Sequence, residues 1–152
     1  MTEQKVAFIT GASSGIGRAM TELLVAQGWR VAALARREDR LRELEATHSG
    51  ASDSGQVAGF VADVTDAESL ASAVRATLDR WGRIDLVVAN AGFAVSGPLA
   101  KLSVDDYRRQ METNVFGVLN TIYATREALL AAKGILAVIG SVAGHIALPY
   151  NT

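Results

Sequence analysis

A glycine-rich turn restricts the fold more than any other part of this sequence. It reads TGASSGIG over residues 10–17 and directly follows a short apolar run at residues 5–10. Apolar residues at helical spacing continue through residues 16–27, and Gly28 follows as a stop. A strand that turns in this way into a helix gathers backbone N–H groups and the positive helix end at one point, and glycine leaves room there for a phosphate. We therefore predict a phosphate-binding turn; a Gly- and Ser-rich loop without a ligand is the alternative.

Four further apolar runs follow, and segments with helical periodicity or loop composition separate them. Strands are predicted at residues 5–10, 30–35, 57–61, 84–89 and 135–139. Helices are predicted at residues 16–27, 38–48 and 67–81 and over a long stretch after residue 103, with a low-complexity loop at residues 49–55. Continuous apolar strands that alternate with helices favour a parallel sheet covered on both faces. The expected fold is α/β, a doubly wound parallel sheet (Rossmann-like) of five strands in the order 3-2-1-4-5, with residues 1–152 as one domain.

Polar residues predict where two of these helices begin and end. Asp66 can cap the third helix, which Gly82 follows, and Ser103 with Asp106 resembles a capping box at the start of the fourth. The fourth helix carries a predicted buried stripe: Tyr107, Met111, Val115, Val118, Ile122 and Leu129. Asn114 falls on or beside this stripe, so we expect a buried amide that must find hydrogen-bond partners.

Composition argues against several function classes. The chain carries Lys+Arg 15 against Asp+Glu 16, and this balance of charge does not favour a nucleic-acid partner. It has no cysteine, and its two histidines, His48 and His145, are far apart in the sequence, so a metal site is not expected. No apolar run has the length of a membrane span or of a signal peptide. We expect no membrane partner and, by default, a cytoplasmic location.

Further motifs follow the glycine turn in a fixed order. Asp63-Val64 follows the third strand, Asn90-Ala91-Gly92 follows the fourth, Asn114 lies in the long helix and Ser141 follows the fifth strand. Together with glycines spaced GxxxGxG, they resemble the short-chain dehydrogenases/reductases over essentially the whole chain. The resemblance implies an oxidoreductase that interconverts a small-molecule carbonyl and an alcohol, with hydride carried by a nicotinamide cofactor. It assigns cofactor binding to Gly11, Ser13, Ser14, Gly15, Ile16, Gly17, Asp63, Val64, Asn90, Ala91 and Gly92.

The end of the second strand bears on which nicotinamide cofactor binds. NAD sites place Asp or Glu there for the ribose 2′-OH, whereas NADP sites supply Arg for the 2′-phosphate. Here Ala35 occupies the expected acid position and Arg36 follows it. Arg binds a phosphate dianion through two parallel hydrogen bonds, and the Ser13 hydroxyl can add a donor. We expect NADP as cofactor and Arg36 as the residue that selects it, with Arg40 and Arg42 on a solvated helix face.

The resemblance also assigns two catalytic residues. Ser141 is expected to bind the substrate carbonyl, and Asn114 to hold a water that links an active-site lysine to solvent; a structural core asparagine is the alternative for Asn114. In the family the reactive acid is the tyrosine of a Tyr-x-x-x-Lys pair, which stands further from the serine than Tyr150 does. Tyr150 follows Pro149, and no lysine lies four residues beyond it. We expect Tyr150 in a substrate loop and no catalytic Tyr/Lys pair in this sequence.

Two interpretations follow from the missing pair. In the first, the chain is the N-terminal part of a longer reductase and is C-terminally incomplete. The full-length parent is then expected to be a homo-oligomer. The second is a non-catalytic nucleotide-binding or interaction module. Phe93, Val95 and His145 are expected at the substrate pocket. The apolar run at residues 135–139 would have an uncovered edge, so the 152-residue polypeptide alone should be inactive and marginally stable, oligomeric or prone to aggregation.

Overall fold

The sheet orders the molecule, and the computed structural model describes it through residues 4–48 and 56–146. Its strands are β1 (Val6–Thr10), β2 (Arg30–Ala35), β3 (Val57–Val61), β4 (Leu86–Ala89) and β5 (Ile135–Val138). All neighbours are parallel, in the order β3-β2-β1-β4-β5. The predicted fold class and strand order are therefore confirmed. The predicted loop at residues 49–55 and the position of Tyr150 lie outside the described residues.

The helices lie between successive strands. They are α1 (Gly15–Ala26), α2 (Glu38–Thr47), α3 (Ala67–Trp81), α4 (Val104–Met111) and α5 (Gly117–Ala132), and a π-helical turn at Glu112–Phe116 joins α4 to α5. The predicted caps are confirmed. The Asp66 side chain accepts two N–H bonds at the start of α3, Gly82 ends α3 in the left-handed region, and Ser103 forms a capping box with Asp106. Local side-chain chemistry thus sets these helix boundaries.

Two apolar clusters, one on each face of the sheet, form the core. Alternate residues of β1 point to opposite faces, so Ala7 and Ile9 belong to one cluster and Phe8 to the other. Leu41 of α2 completes the first cluster and Leu70 of α3 the second, and all five side chains are at most 2% exposed. Burial on both faces holds the carboxyl ends of the central strands in fixed positions.

The long helix differs from the predicted stripe. Met111 and Val115 are exposed, at 50% and 39%, so the prediction that they are buried was wrong. The π-helical turn makes i→i+5 bonds and shifts which side of the helix faces the core. Beyond that turn, the buried residues of α5 are Gly117, Thr121 and Thr125. The two threonine hydroxyls donate to the carbonyls four residues earlier, so their burial leaves no polar atom unpaired.

Strand β5 forms an exposed edge of the described sheet. It pairs with β4, and Ile135 is 67% exposed and Val138 51% exposed. Leu136 and Ile139 are exposed as well. The uncovered apolar edge predicted from the sequence is therefore present in the described part of the chain. Such edges favour pairing with other chains, and self-association stays a prediction.

Candidate cofactor-binding cleft

A cleft of about 480 Å³ lies at the carboxyl ends of the parallel strands. Ligands bind at this edge of open α/β sheets, where the strand order reverses. Here the order reverses between β1 and β4. The predicted cofactor residues line the cleft with the exception of Gly17. Residues that were not predicted to bind the cofactor also line it, among them Thr10 of the glycine motif, Arg37, Thr113 and Ile139.

The glycine turn forms the centre of the cleft. Gly11 has a φ of +67°, and a Cβ there would lie 2.9 Å from the Ala91 Cα. A Cβ at Gly17 would meet the Gly11 carbonyl oxygen and lie 2.6 Å from Asn90 Nδ2. These two glycines therefore let the turn pack against the backbone that follows β4. Gly15 has a φ of +55° with open space around it, so its backbone can be reached from the cleft at the N-terminus of α1.

Thr10 and Asn90 fix the turn to the end of β4. The Asn90 side-chain amide donates to the Thr10 carbonyl at 3.0 Å and to the Gly11 carbonyl at 3.3 Å. The Thr10 hydroxyl oxygen accepts the N–H bonds of Asn90 and Ala91, each at 3.0 Å. The Asn90 side chain is thus used to shape the turn, which gives this predicted cofactor residue a structural task as well.

Two arginines follow β2 at one end of the cleft. Arg37 Nη2 donates to Ser13 Oγ at 3.1 Å and to Ser14 Oγ at 3.0 Å. The Arg36 side chain is 75% exposed, and its Nη1 lies 3.8 Å from an Asp63 carboxylate oxygen. Arg36 was predicted from the sequence as a cofactor-binding residue, whereas Arg37 was not. The position of Arg37 directly after Arg36 could have indicated a role at the cleft. Its contacts with Ser14 and Ser13 could not be predicted, because they cross 23 and 24 residues of sequence.

Asp63 stands after β3 at the same end of the cleft. Its Oδ1 accepts the Thr65 N–H at 3.0 Å and the Thr65 hydroxyl at 2.8 Å. Partial burial raises the pKa of Asp63, but the two Thr65 hydrogen bonds and the Arg36 charge outweigh this effect, and the net pKa lies below its ordinary value. Asp63 is therefore an anion at neutral pH. The neighbouring Val64 is buried, and its carbonyl accepts a bond from the Asn120 amide at 3.0 Å.

Asn114 lies near the opposite end of the cleft and is exposed, so the prediction that it is buried was wrong. It falls within the π-helical turn, which rotates it out of the expected stripe. The amide does have hydrogen-bond partners. Its Nδ2 donates to the Phe93 carbonyl at 2.8 Å, and its Oδ1 accepts the Phe93 N–H at 3.1 Å. A Cβ at Gly92 would lie only 3.1 Å from Asn114 Oδ1, so the loop approaches the helix closely there.

Ser141 is exposed beyond the end of β5. Its Oγ accepts the Ala143 N–H at 3.1 Å and caps a 3-10 turn at Val142–Gly144. His145 is exposed at the end of that turn. Neither Ser141 nor Asn114 lines the cleft. The structure therefore brings all the predicted cofactor residues except Gly17 together in one cavity, but the two predicted catalytic residues do not line it.

The described residues contain neither a candidate metal-binding cluster nor a candidate membrane-spanning helix. Within residues 4–48 and 56–146, no three His, Asp or Glu side chains gather closely enough to hold a metal ion. In the same ranges, no helix combines the length and apolar character needed to cross a membrane.

Several curated proteins resemble this chain over most of its length. The family described as short chain dehydrogenase matches residues 5–152. An uncharacterized oxidoreductase of Listeria monocytogenes is 36% identical over 148 residues, which cover 97% of this chain and 59% of the relative. The serine 3-dehydrogenase of Agrobacterium fabrum is 35% identical over 139 residues, which cover 90% of this chain and 53% of the relative.

Solved structures share the fold. An alcohol dehydrogenase from the archaeon Thermococcus sibiricus, complexed with 5-hydroxy-NADP, matches with a TM-score of 0.91 at 35% identity, over 98% of this chain and 63% of that one. A short chain dehydrogenase/reductase from Burkholderia phymatum, in complex with NAD, matches with a TM-score of 0.90 at 29% identity, over 99% of this chain and 54% of that one. The chain thus spans between 53% and 63% of the length of these four relatives. From its family match, its strand order and its glycine turn, the chain belongs to the short-chain dehydrogenase/reductase family of oxidoreductases.

Proposed function

We propose that this protein is an NADP(H)-dependent oxidoreductase that interconverts a small-molecule carbonyl and an alcohol, with residues 1–152 as its cofactor-binding domain. The observation that carries the proposal is the arginine pair at the end of β2. Arg36 and Arg37 follow a buried Ala35 at the place where an NAD site carries an acid. Their guanidinium groups bring positive charge to the expected position of the 2′-phosphate. When bound, the nicotinamide supplies the hydride chemistry.

The cleft has three zones, arranged in the order of the strands, and each zone suits one part of a dinucleotide. The end beside β2 and β3 offers the two arginines to a 2′-phosphate, and Asp63 and Val64 to the adenine as the family resemblance implies. The centre offers the N-terminus of α1 and the accessible backbone at Gly15 to a diphosphate, because helix N-termini favour anions. The end beside β4 and β5 offers Phe93, Thr113 and Ile139 to the nicotinamide.

The serine contacts of Arg37 support phosphate binding rather than a freely solvated side chain. A guanidinium group has five N–H donors, and Ser13 and Ser14 engage Nη2. Fixing Nη2 orients the planar group at the cleft wall, where Nε and Nη1 keep their N–H groups for a phosphate. Solved family members carry either an NADP derivative or NAD. The residues of this chain, rather than family membership, therefore support the choice of NADP.

For the chemical step we propose the roles that the family resemblance assigns to Ser141 and Asn114. Residues 142–152 hold no Tyr-x-x-x-Lys motif, and positioned acid–base groups contribute about 10²–10⁴-fold to rate. A polypeptide of these 152 residues is therefore expected to bind NADPH without measurable turnover. Turnover with a panel of ketones and aldehydes that disappears on Tyr150→Phe would contradict this expectation. Turnover by a longer form would exclude the alternative of a non-catalytic nucleotide-binding module.

Replacing Arg36 tests the cofactor preference. The change Arg36→Asp turns a charge-assisted contact with the 2′-phosphate into a repulsion. We expect NADPH affinity to fall by about 2 kcal/mol, on the order of thirty-fold, with little loss of NADH affinity. Titration calorimetry of both cofactors against wild type and variant measures this difference.

Arg42→Asp is the matched control. Arg42 also lies near the start of α2, pairs with Glu38 and does not line the cleft, so the same change of charge there should leave NADPH affinity within about two-fold. Equal NADPH and NADH affinities in the wild type would contradict the proposal. An equal loss of NADPH affinity in both variants would assign the effect to net charge rather than to a phosphate site.

Two wider properties stay proposals. We propose a cytoplasmic protein, as expected from the sequence. We also propose a homo-oligomer for the full-length form, as the family resemblance implies.

A further inference from the structure

The backbone that follows β4 crosses the far end of the cleft without regular secondary structure. Two side-chain amides of the neighbouring helix hold it in place. Gln110 Oε1, in α4, accepts the Val95 N–H at 2.7 Å. Asn114, in the π-helical turn, accepts the Phe93 N–H at 3.1 Å and donates to the Phe93 carbonyl at 2.8 Å. The loop is therefore attached to the helix at two points. We call the Asn114–Phe93 attachment the first rung and the Gln110–Val95 attachment the second, outer rung.

The two rungs follow the helix and the loop in opposite directions. Gln110 lies in α4 and Asn114 in the π-helical turn, four residues later in the chain. Their partners come in the reverse order, because Val95 bonds to Gln110 and Phe93 bonds to Asn114. The loop therefore runs antiparallel to the helix.

The second rung removes a freedom that the first rung leaves. The Thr10 hydroxyl holds Asn90 and Ala91, and Asn114 holds Phe93, so these bonds alone leave the chain beyond Phe93 free to change direction. Gln110 fixes the chain two residues further on and thereby sets the direction in which it leaves the cleft. Phe93 lines the cleft beside Gly92, whereas Val95 lies in a small separate cavity with Gln110, Leu102 and Tyr107. The outer rung therefore lies outside the cleft, two residues along the chain from a wall inside it.

We propose that Gln110 is a positioning residue that holds the Phe93 wall at the nicotinamide end of the cleft, and so tunes affinity for the nicotinamide half of the cofactor without acting on the adenosine half. This proposal rests on the proposed NADP(H) binding. The two halves separate cleanly in the fold. The arginine pair and Asp63 follow β2 and β3, and the loop held by Gln110 follows β4 on the opposite side of β1.

Substitutions at Gln110 separate a positioning role from a general structural one. Gln110→Leu removes the acceptor at similar volume, whereas Gln110→Glu keeps an oxygen acceptor for the Val95 N–H. Arg108→Leu, on the same helix with an exposed side chain, is the matched control. The probes are NADPH and adenosine 2′,5′-bisphosphate, which contains the adenosine half alone. Calorimetry measures both affinities, and amide exchange followed by NMR measures the protection of Val95 and Phe93.

In Gln110→Leu the loop must be ordered when NADPH binds, and the strength of an ordinary hydrogen bond limits the expected loss of affinity to about five- to ten-fold. Adenosine 2′,5′-bisphosphate affinity should stay unchanged, and the Val95 amide should exchange faster while Phe93 stays protected by Asn114. Gln110→Glu and Arg108→Leu should behave as wild type in all measurements. An equal loss for both probes, unchanged NADPH affinity in Gln110→Leu, or no rescue by Gln110→Glu would overturn the proposal.

Failure of the proposed function gives a different result. A wild-type protein that binds neither NADPH nor adenosine 2′,5′-bisphosphate would contradict the proposed function. The proposed role of Gln110 in cofactor affinity would then fail as well. The Val95 exchange rates would still decide whether the second rung exists in solution. A wild type that binds adenosine 2′,5′-bisphosphate as tightly as NADPH would leave NADP binding intact and contradict the positioning role alone.

Discussion

The two halves of the sheet, β1–β3 on one side and β4–β5 on the other, are built differently, although one cleft lies across both. On the β1–β3 side, every residue of β1 is buried and so are five of the six residues of β2. On the other side, β5 is largely exposed, and neither α4 nor the π-helical turn buries a residue. The first side is held by packing. The second is held by hydrogen bonds from side chains, such as those of Gln110, Asn114 and the Ser103 capping box.

This difference assigns different physical tasks to the two ends of the cleft. The proposed adenosine end follows β2, whose last five residues are buried, and β3, whose carboxyl end is partly exposed, so the residues after β2 gain fixed positions from the core. The nicotinamide end stands on a loop whose backbone is held by Asn114 and Gln110. We therefore expect the adenosine end to tolerate loss of single hydrogen bonds, and the nicotinamide end to respond to them.

The largest expected effect compares one substitution at two positions. Ile9 of β1 is fully buried, whereas Ile135 of β5 is 67% exposed. Ile9→Ala should lower the free energy of unfolding by about 2–5 kcal/mol, because it removes packed methyl groups and leaves a cavity. Ile135→Ala should change it by less than about 0.5–1 kcal/mol. Urea denaturation followed by circular dichroism measures both values.

The same pair of variants reports on the uncovered edge. A loss at Ile135 as large as that at Ile9 would mean that another chain covers β5 in solution. Sedimentation of the wild type at two concentrations then distinguishes a self-associated protein, which becomes heavier with concentration, from a monomer with a solvated edge.

The next effect concerns the centre of the cleft. Gly15 and Gly82 both have positive φ, at +55° and +77°, and a Cβ at either would meet nothing within 4 Å. Valine at either position therefore introduces comparable backbone strain. Gly15 lines the cleft, and Gly82 ends α3 and does not line it. We expect Gly15→Val to lower NADPH affinity at least about ten-fold, and Gly82→Val to leave affinity unchanged when both proteins are folded. Equal affinities in the two variants would show that the turn has a structural role only.

The smallest effect concerns the polar contacts of the second side. Backbone and hydroxyl hydrogen bonds from Ser103, with a contact from Arg109, lower the pKa of Asp106 to about 2. Because this pKa is lower in the folded than in the unfolded chain, the stabilisation it gives is complete above about pH 4 and is lost as pH falls toward about 2. Ser103→Ala should move the pKa up toward its ordinary value. An NMR titration of the carboxyl group measures the shift, and an unchanged midpoint would contradict the capping interaction.

Much of the fold could be predicted because its signals are local. The glycine turn, the apolar strands and the caps at Asp66, Gly82 and Ser103 each depend on residues a few positions apart. The strand order followed from the family resemblance together with the alternation of strands and helices. The helix stripe failed because a π-helical turn inserts at Glu112–Phe116 and no periodicity announces it.

The site was predictable where a motif named its residues and not where the contact was distant in sequence. Arg36 followed from its place after β2, but the bond from Arg37 to Ser13 crosses 24 residues. The contact of Gln110 with Val95 crosses 15 residues, and a lone glutamine on an amphipathic helix gives no sign of it. Asn114 was chosen for a family role, and the geometry of its two bonds to Phe93 required the folded chain.

Hydrogen exchange with and without NADPH tests the central claim, that the cofactor occupies the cleft at the carboxyl ends of the strands. Saturating NADPH should slow exchange at once in four separate segments, residues 10–17, 34–37, 62–64 and 90–93, and should leave the centre of α3 unchanged. NADH at the same concentration should protect residues 10–17 and 90–93 less than NADPH does. It should protect residues 34–37 least, since it lacks the 2′-phosphate. No protection in these segments, or protection confined to another surface, would contradict the account.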